Sequence, residues 1–599
     1  MSEIIGSIGR INGPVVKAKD VKEAMMSEMV EVGESKLIGE IIRLEDDIAT
    51  IQVYEETEGL KVGEPVYGTG QLLSVELGPG LLTNIFDGIQ RPLTAIKSAT
   101  GDFIGKGVSI PPLDRKKRWP TKMLAKKGDT VSEGNIIATI KETELIEHRV
   151  LVPTGIKGEV ISAVPDGDYN IETTILTVKT EDRGEVELKL YHRWPVRHPR
   201  AYKEKLLPDT PLLTGQRVID TFFPIAKGGT AAIPGGFGTG KTVTQHQLAK
   251  WSDAQIIVYI GCGERGNEMT EVLEEFPKLI DPHSNRPLME RTILIANTSN
   301  MPVAAREASI YTGITIAEYY RDMGYDVAIM ADSTSRWAEA LREIAGRLEE
   351  MPAEEGFPAY LPTKLAEFYE RAGKVLTLSG KVGSITIIGA VSPPGGDFSE
   401  PVTQYTKRFT RCFWGLDKNL ASARHFPSIN WLESYSEYIN DLQKWWEENV
   451  DKSYREIRNE AMELLQEESK LQRIVQLIGA GVLPDSQKLI LEAARMIKDQ
   501  FLRQNAFSEI DSYSTPEKQI HILKLIMAYY QWARRLINKK IPISKITSLP
   551  VTTKIMHVTA ETPNEQIKEK CESLMKELIE SFKGLESEFE RISKKRTQG

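Results

Sequence analysis

The stretch Gly235-Gly236-Phe237-Gly238-Thr239-Gly240-Lys241-Thr242 decides the fold of this chain. It fits the pattern G-x-x-x-x-G-K-[ST], a loop whose backbone N–H groups cradle phosphates at the start of a helix. The apolar run at 230–234 predicts a buried strand before the loop, and apolar residues at helical spacing over 243–251 predict a helix after it. We therefore expect these eight residues and Val243 to bind a polyphosphate.

Two side chains at the end of the loop complete this prediction. Lys241 is expected to reach the β- and γ-phosphates, and the Thr242 hydroxyl is expected to hold a Mg²⁺ that bridges them. The competing interpretation is a glycine-rich turn that matches the pattern by chance. The predicted strand and helix on its two sides argue against that interpretation.

Between about 195 and 430 the chain alternates patterns typical of buried strands with helical patterns. The strand patterns lie at 256–260, 292–296, 326–331 and 384–388. Near-continuous apolar runs of this kind are typical of strands that are buried on both faces of a sheet. We therefore predict a parallel α/β domain around the glycine loop.

Charged residues follow two of these strands. Asp332 ends the run at 326–331, where a carboxylate would organise the waters of a bound Mg²⁺. Glu264 and Arg265 follow 256–260, at the edge where such sheets bind ligands. We interpret Glu264 as the base that polarises an attacking water and Arg265 as a guanidinium near phosphate. The alternative is that both are solvated surface charges.

The regions around this domain have other patterns. Residues 1–75 contain short β-rich runs between turns and predict a small barrel, and 76–109 form a connecting segment. A second β-rich unit is expected at 110–190, the nucleotide-binding domain at 191–435, and a helical domain at 436–599. The fold class is therefore multi-domain α/β.

The β-rich unit at 110–190 carries two similar turns, at 127–134 and 153–160. They resemble the turns of biotinyl and lipoyl carrier domains, whose function depends on a lysine at an exposed hairpin tip. The segment 142–148 between them contains no lysine. A structural flattened barrel is therefore predicted rather than a carrier arm.

Composition excludes several classes of function. The 84 acidic and 76 basic residues give a net charge of −8, so no general basic surface for nucleic acid is expected. No signal peptide and no uncharged run long enough to span a bilayer is evident, which predicts a cytosolic protein. The three cysteines, Cys262, Cys412 and Cys571, are far apart and form no zinc or disulfide pattern.

Four segments together carry a family resemblance. Residues 235–242, 263–269, 299–307 and 332–343 resemble the catalytic A subunit of V-type and archaeal A-type rotary ATPases, as found in bacteria and archaea. The likeness extends along most of the chain and includes the insert at 110–190, which distinguishes A subunits from the F-type β subunit. Eukaryotic members have a regulatory cysteine in the glycine loop. No cysteine lies between Gly235 and Thr242, so that switch is expected to be absent.

The resemblance implies a RecA-like fold for the nucleotide-binding domain, an activity and a set of site residues. It implies hydrolysis or synthesis of ATP, with Mg²⁺, coupled to H⁺ or Na⁺ transport across a membrane. Lys241, Glu264, Arg265 and Asp332 would be catalytic, and Thr242 and Asp332 would hold Mg²⁺, the latter through water. The same likeness implies that two aromatic rings, those of Phe426 and Phe507, flank the adenine.

The resemblance also implies partners. The chain would alternate with a homologous non-catalytic B subunit in an A3B3 ring, with central and peripheral stalk subunits and, indirectly, a membrane sector. It would therefore lie at the cytoplasmic face of a membrane. An arginine finger would come from the B subunit.

Two other classes of function compete with this one. Another hexameric motor, such as a secretion ATPase or a transcription-terminating helicase, would share the glycine loop, but the insert and the absence of a general basic surface argue against it. A non-catalytic scaffold that holds nucleotide would be expected to lack Lys241 or Glu264, and both are present.

Overall fold

A computed structural model describes residues 3–101, 107 and 110–597 of the 599-residue chain. The chain divides into two compact units. The first unit comprises Met1–Leu207, Lys227–Pro234 and Ala254–Thr410, and the second comprises Pro208–Ala226, Gly235–Asp253 and Arg411–Gly599. The glycine loop therefore opens a segment of the second unit, directly after a strand of the first.

The strands of the described residues have the following bounds. In chain order they are β1 (Glu3–Asn12), β2 (Val15–Lys19), β3 (Glu28–Val32), β4 (Leu37–Glu45), β5 (Ile48–Val53), β6 (Pro65–Leu72), β7 (Ser74–Leu77), β8 (Ile85–Phe86), β9 (Arg118–Met123), β10 (Thr130–Val131), β11 (Ile136–Lys141), β12 (Glu147–Leu151), β13 (Gly158–Ala163), β14 (Gly167–Asn170), β15 (Leu176–Thr180), β16 (Gly184–Leu188), β17 (His192–Pro195), β18 (Glu204–Leu206), β19 (Thr230–Pro234), β20 (Ile256–Glu264), β21 (Ile280–Asp281), β22 (Arg286–Pro287), β23 (Thr292–Thr298), β24 (Asp326–Asp332), β25 (Gly373–Leu376), β26 (Val382–Val391), β27 (Cys412–Phe413) and β28 (Tyr435–Ser436).

The α-helices are α1 (Leu93–Thr100), α2 (Lys241–Trp251), α3 (Gly266–Glu275), α4 (Val303–Asp322), α5 (Thr334–Arg347), α6 (Leu361–Glu370), α7 (Pro401–Phe409), α8 (Lys418–Ser422), α9 (Ile439–Asn449), α10 (Tyr454–Ile478), α11 (Asp485–Met496), α12 (Pro516–Asn538), α13 (Ile543–Thr547), α14 (Pro550–Glu561) and α15 (Ile567–Thr597).

The first unit begins with the predicted barrel, which the structure confirms. Six antiparallel strands close in the order β1-β2-β5-β4-β3-β6. Alternate residues point inward, so Val30 and Val32 of β3 are buried and pack with Ile8, Ile41 and Ile51. Closure leaves no strand of this barrel with an unpaired edge.

The β-rich insert is the predicted flattened barrel. It consists of two four-stranded sheets, in the orders β10-β13-β15-β16 and β12-β11-β9-β14. Val160 and Val178 of one sheet and Ile137 and Ile140 of the other are buried in the same apolar core. The two sheets therefore form a sandwich, and the cluster that they enclose is continuous with the core of the neighbouring parallel α/β domain.

The hairpin of β11 and β12 packs on helix α4. His148 is fully buried, and its two ring nitrogens lie 2.8 Å from Glu142 Oε2 and 2.9 Å from the Tyr319 hydroxyl of α4. Tyr320, also on α4, donates to Glu142 at 3.0 Å. Opposite charge and a hydrogen bond from His148 hold the pKa of Glu142 below its ordinary value, against the effect of burial. The hairpin is thus docked and does not project as a carrier arm.

The predicted parallel α/β sheet is confirmed in the first unit. Its strands lie in the order β19-β26-β24-β20-β23-β8 and all neighbouring pairs are parallel. β20, β23 and β24 are buried over nearly their whole length, and α4 is buried throughout from Ala304 to Asp322. A sheet that is covered on both faces needs apolar strands, which explains the runs seen in the sequence.

The second unit is mainly helical, as predicted for the C-terminal region. Thr515 caps α12, because its hydroxyl accepts from the Lys518 backbone N–H and Pro516 occupies the first turn. Leu578 and Phe582 of α15 are buried, and this helix packs against α12, where the Tyr529 ring lies 5.7 Å from that of Phe582. These two side chains therefore belong to the interior of the unit.

Candidate active site

The glycine loop has a fixed, curled backbone. Gly238 and Gly240 adopt φ of 80° and 88°, a left-handed conformation that favours glycine. Gly235 is tightly enclosed: a Cβ placed there would lie 2.5 Å from Thr239 Oγ1 and 2.8 Å from Leu416 Cβ. The Thr239 hydroxyl in turn donates to the Gly236 carbonyl at 2.8 Å. Backbone shape therefore requires glycine at 238 and 240, and packing requires it at 235.

Helix α2 begins at the end of this loop. Its N-cap residue is Gly240, which has no side chain to accept from the first backbone N–H groups. Lys241 is half-buried, and its Nζ donates to the Gly235 carbonyl at 2.8 Å. The Thr242 hydroxyl lies in the same first turn. This is the arrangement of donors that receives a phosphate group at a helix start.

The first unit places the predicted carboxylates at one edge of its parallel sheet. Glu264 is the last residue of β20 and Asp332 the last residue of β24, and these strands are neighbours. Asp332 is 2% exposed and accepts from the Tyr259 hydroxyl at 3.2 Å. Glu264 is half-buried, and Arg265 is exposed at the start of α3. The carboxyl edge of a parallel sheet is where ligands bind in such domains.

Gly263 shapes the end of β20. Its φ is 74°, and a Cβ there would lie 2.8 Å from Arg306 Cδ and 2.8 Å from Arg336 Cβ. Only glycine fits between these two arginines with this backbone. The turn therefore sets the direction in which Glu264 and Arg265 leave the strand.

A cavity of about 910 Å³ in the second unit adjoins the glycine loop. Gly238, Gly240 and Val243 line one side of it, and the rings of Phe426 and Phe507 are also part of its wall. Phe426 is 41% exposed and Phe507 is 89% exposed. The structure thus brings both predicted aromatic residues to one cavity next to the loop.

Other residues of the glycine loop do not line this cavity. Phe237 does not line this cavity, and its side chain is 79% exposed. Lys241 and Thr242, the first two residues of α2, do not line it either. The cavity is therefore lined by the glycine side of the loop and by Val243, and not by Lys241 and Thr242.

Sequence reasoning missed most of the polar wall of the cavity. This wall includes Gln216, Arg217, Gln504, Asn505, Asp511 and His557. Arg217 is fully buried and pairs with Asp511, with Nη1 2.6 Å from Oδ1. The available signal was the short polar sequence Gln504-Asn505 just before Phe507, and no local pattern indicated Arg217.

Burial changes the pKa of histidines near the loop. Burial lowers the pKa of His246, on α2, to about 4. Burial also lowers the pKa of His425, which precedes Phe426. Both imidazoles are therefore neutral at pH 7, and they add no positive charge around the loop.

The residues present fit a magnesium ion that binds together with a phosphate chain. The Thr242 hydroxyl in the second unit and the Asp332 carboxylate in the first unit are each the kind of hard oxygen donor that Mg²⁺ prefers. Within 3–101, 107 and 110–597, no group of three or more His, Cys, Asp or Glu side chains could hold a metal by itself. A Mg²⁺ bound to either residue would thus depend on ligand oxygens as well. No described helix has the length and apolar character needed to cross a membrane.

Models of four domain families match the chain. They are the β-barrel domain of the ATP synthase alpha/beta family at residues 8–70, the alpha/beta subunit barrel-sandwich domain at 110–197, the alpha/beta family nucleotide-binding domain at 215–436, and the C-terminal domain of V and A type ATP synthase at 443–547.

Curated relatives match over nearly the full length. The A subunit of the A-type ATP synthase of Methanopyrus kandleri is 61% identical over 98% of this chain and 99% of the relative. The V-type ATP synthase alpha chain of Halothermothrix orenii is 61% identical, over 97% and 98%. The corresponding A-type protein of Thermococcus onnurineus is 60% identical, over 97% and 99%.

The fold is also similar to that of a solved secretion ATPase. The ATPase EscN of the enteropathogenic E. coli type III secretion system superposes with a TM-score of 0.62, over 87% of this chain and 99% of EscN. Its sequence identity is 21%, so this likeness concerns the fold alone. The relatives at about 60% identity favour the ATP synthase assignment over a secretion ATPase.

Proposed function

Because the chain belongs to the family of A-type ATP synthase A subunits and V-type ATP synthase alpha chains, we propose that it binds and hydrolyses ATP. In the second unit, the glycine loop would bind the phosphates, and the cavity lined by Phe426 and Phe507, called the base cavity below, would bind the adenine. In the first unit, the carboxylates at the sheet edge would act in the chemical step. The chain is the catalytic subunit of an ion-translocating ATPase, and it works within a complex of several different chains. The observation that supports the site is the start of α2 at Gly240, with Lys241 folded over the loop carbonyls.

The phosphates of ATP would bind to the loop. Backbone N–H groups at the start of α2 would donate to the phosphate oxygens, and Lys241 would exchange its bond with the Gly235 carbonyl for the β- and γ-phosphates. Thr242, and Asp332 through water, would hold Mg²⁺. When bound, the ion neutralises charge on the phosphate oxygens.

The sheet edge would carry out the chemistry. Glu264 would orient and polarise the water that attacks the γ-phosphate, as a carboxylate held at the end of a rigid strand can do. Arg265, next to it, would bring a positive charge to the phosphate. In the second unit, Phe426, Phe507 and Val243 would hold the adenine, because aromatic faces stack on bases.

The partners and the location are part of the same proposal. The chain would alternate with a homologous B subunit in an A3B3 ring, with a central stalk, a peripheral stalk and a membrane sector, and it would lie at the cytoplasmic face. Charge accumulates on the γ-phosphoryl oxygens in the transition state, and an arginine from the B subunit would meet it. Whether H⁺ or Na⁺ is transported depends on the membrane sector.

The experiment compares the isolated chain with the ring. Purified chain, shown by light scattering to be monomeric, should bind Mg-ATP but release phosphate slowly. Mixing with the B subunit should raise turnover by about 10³- to 10⁵-fold, the range measured for arginine fingers. Lys241→Ala in the mixed ring should abolish most of this gain.

Three results would contradict the proposal. A monomer that hydrolyses ATP as fast as the ring would place the finger within this chain, with Arg265 or Arg336 as the residues to mutate. A ring that binds ATP and never releases phosphate would make the chain a scaffold. Near-normal turnover of Lys241→Ala would remove the loop from the mechanism.

A further inference from the structure

A buried arginine lies behind the base cavity. Arg217 has no exposed surface, yet an unpaired guanidinium is costly to bury. Its Nη1 donates to Asp511 Oδ1 at 2.6 Å and to Ser514 Oγ at 2.8 Å. Its Nε donates to the Phe501 carbonyl at 2.8 Å, and Nη2 to the Arg503 carbonyl at 2.6 Å. All four acceptors therefore lie in one segment, residues 501–514.

Gln504 extends this hydrogen-bond network to the backbone of Phe426. Its Oε1 accepts from the Arg217 backbone N–H at 2.9 Å, and its Nε2 donates to the Gly215 carbonyl at 2.8 Å. Its own backbone N–H donates to the Phe426 carbonyl at 2.8 Å. One buried residue thus joins the backbones on both sides of the cavity.

Asp511 holds the loop that carries Phe507. Its Oδ2 accepts from the Asn505 backbone N–H at 2.7 Å, while Oδ1 is bound to Arg217. The Asn505 side chain then accepts from the Phe507 backbone N–H at 3.0 Å. The Phe507 ring itself is 89% exposed. Its position is therefore set by the backbone and by the polar groups behind it, not by packing of the ring.

We propose that Arg217, with Asp511 and Gln504, is a positioning residue that holds Phe426 and Phe507 in place for the base of the nucleotide. This inference rests on the proposed function of the cavity. Arg217 acts on the base half of the site, because the four acceptors of its side chain lie in residues 501–514 and not in the phosphate-binding turn. Removing hydrogen bonds of the Arg217 side chain should lower the affinity for ligands that carry the base and leave the affinity for phosphates alone unchanged.

The test uses two ligands on the full-length chain. Mg-ATP engages both halves of the site, whereas Mg-tripolyphosphate has no base and engages the phosphate loop alone. Arg217→Lys keeps the charge but cannot make the same four hydrogen bonds. Titration calorimetry should show ATP affinity reduced by about 10- to 100-fold and tripolyphosphate affinity within about threefold of wild type. In the assembled complex, KM for ATP should rise while kcat stays within about threefold of wild type.

The matched control is Arg495→Lys, the same change at an exposed arginine of α11 that pairs with Glu492. It should alter neither affinity. Asp511→Asn keeps the size of the side chain and should show the same selective loss of ATP affinity. This second variant tests the same role if Arg217→Lys does not fold. Equal loss of both ligands, or no loss of ATP affinity in either variant, would overturn the positioning role. A wild-type chain that binds neither ligand would overturn the proposed function itself.

Discussion

The sheet edge of the first unit and the base cavity of the second unit are built in different ways. At the sheet edge, Glu264 and Asp332 end neighbouring parallel strands, so the backbone hydrogen bonds of the sheet fix their positions. In the base cavity, Phe426 and Phe507 lie on irregular segments, and buried polar side chains such as Arg217 hold those segments. If the proposed function holds, the residues of the chemical step lie at the ends of rigid strands, and the residues that recognise the adenine lie on loops held by buried hydrogen bonds.

This difference predicts a separation of effects. Changes at the sheet edge should alter the chemical step and leave nucleotide affinity intact. Changes around the base cavity should alter affinity or local stability and leave the chemical step intact. A residue that violates this separation would show that the two regions are coupled during turnover.

The largest effect is expected for Glu264→Gln. The amide keeps the shape of the side chain but cannot accept a proton or carry the charge that polarises water. Turnover of the assembled complex should fall by about 10²- to 10⁴-fold, with ATP affinity within about threefold of wild type. Single-turnover measurements with a phosphate sensor separate the chemical step from binding.

A matched change sharpens this result. Glu339→Gln on α5, where Glu339 pairs with Arg336 at 2.9 Å, removes a carboxylate from the same unit but not from the sheet edge. Its effect on the chemical step should be much smaller. If Glu264→Gln instead loses affinity with a normal chemical step, Glu264 is a binding residue and the comparison fails.

The strand ends could be predicted from the sequence because the signal is local. Asp332 follows an apolar run, and the strand ends there as expected. β20, by contrast, continues four residues past Ile260, through Gly261 and Cys262 to Glu264. The apolar pattern predicted a strand only over 256–260, but Gly261 pairs with both Ala296 and Asp332, so neighbouring strands extend β20.

The cavity wall could not be predicted in the same way. The groups that bind Arg217 lie 284 to 297 residues later in the chain. No pattern within a window of sequence can indicate a pair at that separation. Phe426 and Phe507 were expected only through family likeness, because an isolated phenylalanine is more often part of a core. The domain boundaries at 75, 110, 190 and 435 stay predictions.

An intermediate effect is expected from pH on the second unit. Burial lowers the pKa of His246 from its ordinary 6.5 to about 4. The unfolded chain therefore binds this proton near pH 6.5, while the folded chain resists it until about pH 4. The resulting stability is complete above pH 6.5 and is lost as the pH falls toward 4, by about 3 kcal/mol.

The variant His246→Asn isolates this contribution. His425 and His521 also have lowered pKa values from burial, so the wild type will lose further stability in the same direction. Urea unfolding of both proteins at pH 7 and pH 4.5 should show a smaller loss for the variant, by about 2 to 3 kcal/mol. Parallel pH curves would mean that the imidazole is solvated in the folded chain.

The smallest effect is expected for Phe507→Ala, which tests the other side of the comparison. Stacking of a base on an aromatic ring contributes about 1–3 kcal/mol, and two rings share the base here, so ATP affinity should fall by about tenfold. Turnover at saturating ATP should stay within about threefold of wild type, because the ring lies in the base cavity and not at the sheet edge.

Phe507→Trp retains an aromatic face and should restore affinity, whereas Phe507→Leu retains apolar bulk without the ring and should not. If Leu restores affinity as well as Trp, the cavity recognises apolar volume and not the face of a base. If Phe507→Ala slows the chemical step while affinity is unchanged, the cavity takes part in catalysis and the separation between the two regions does not hold.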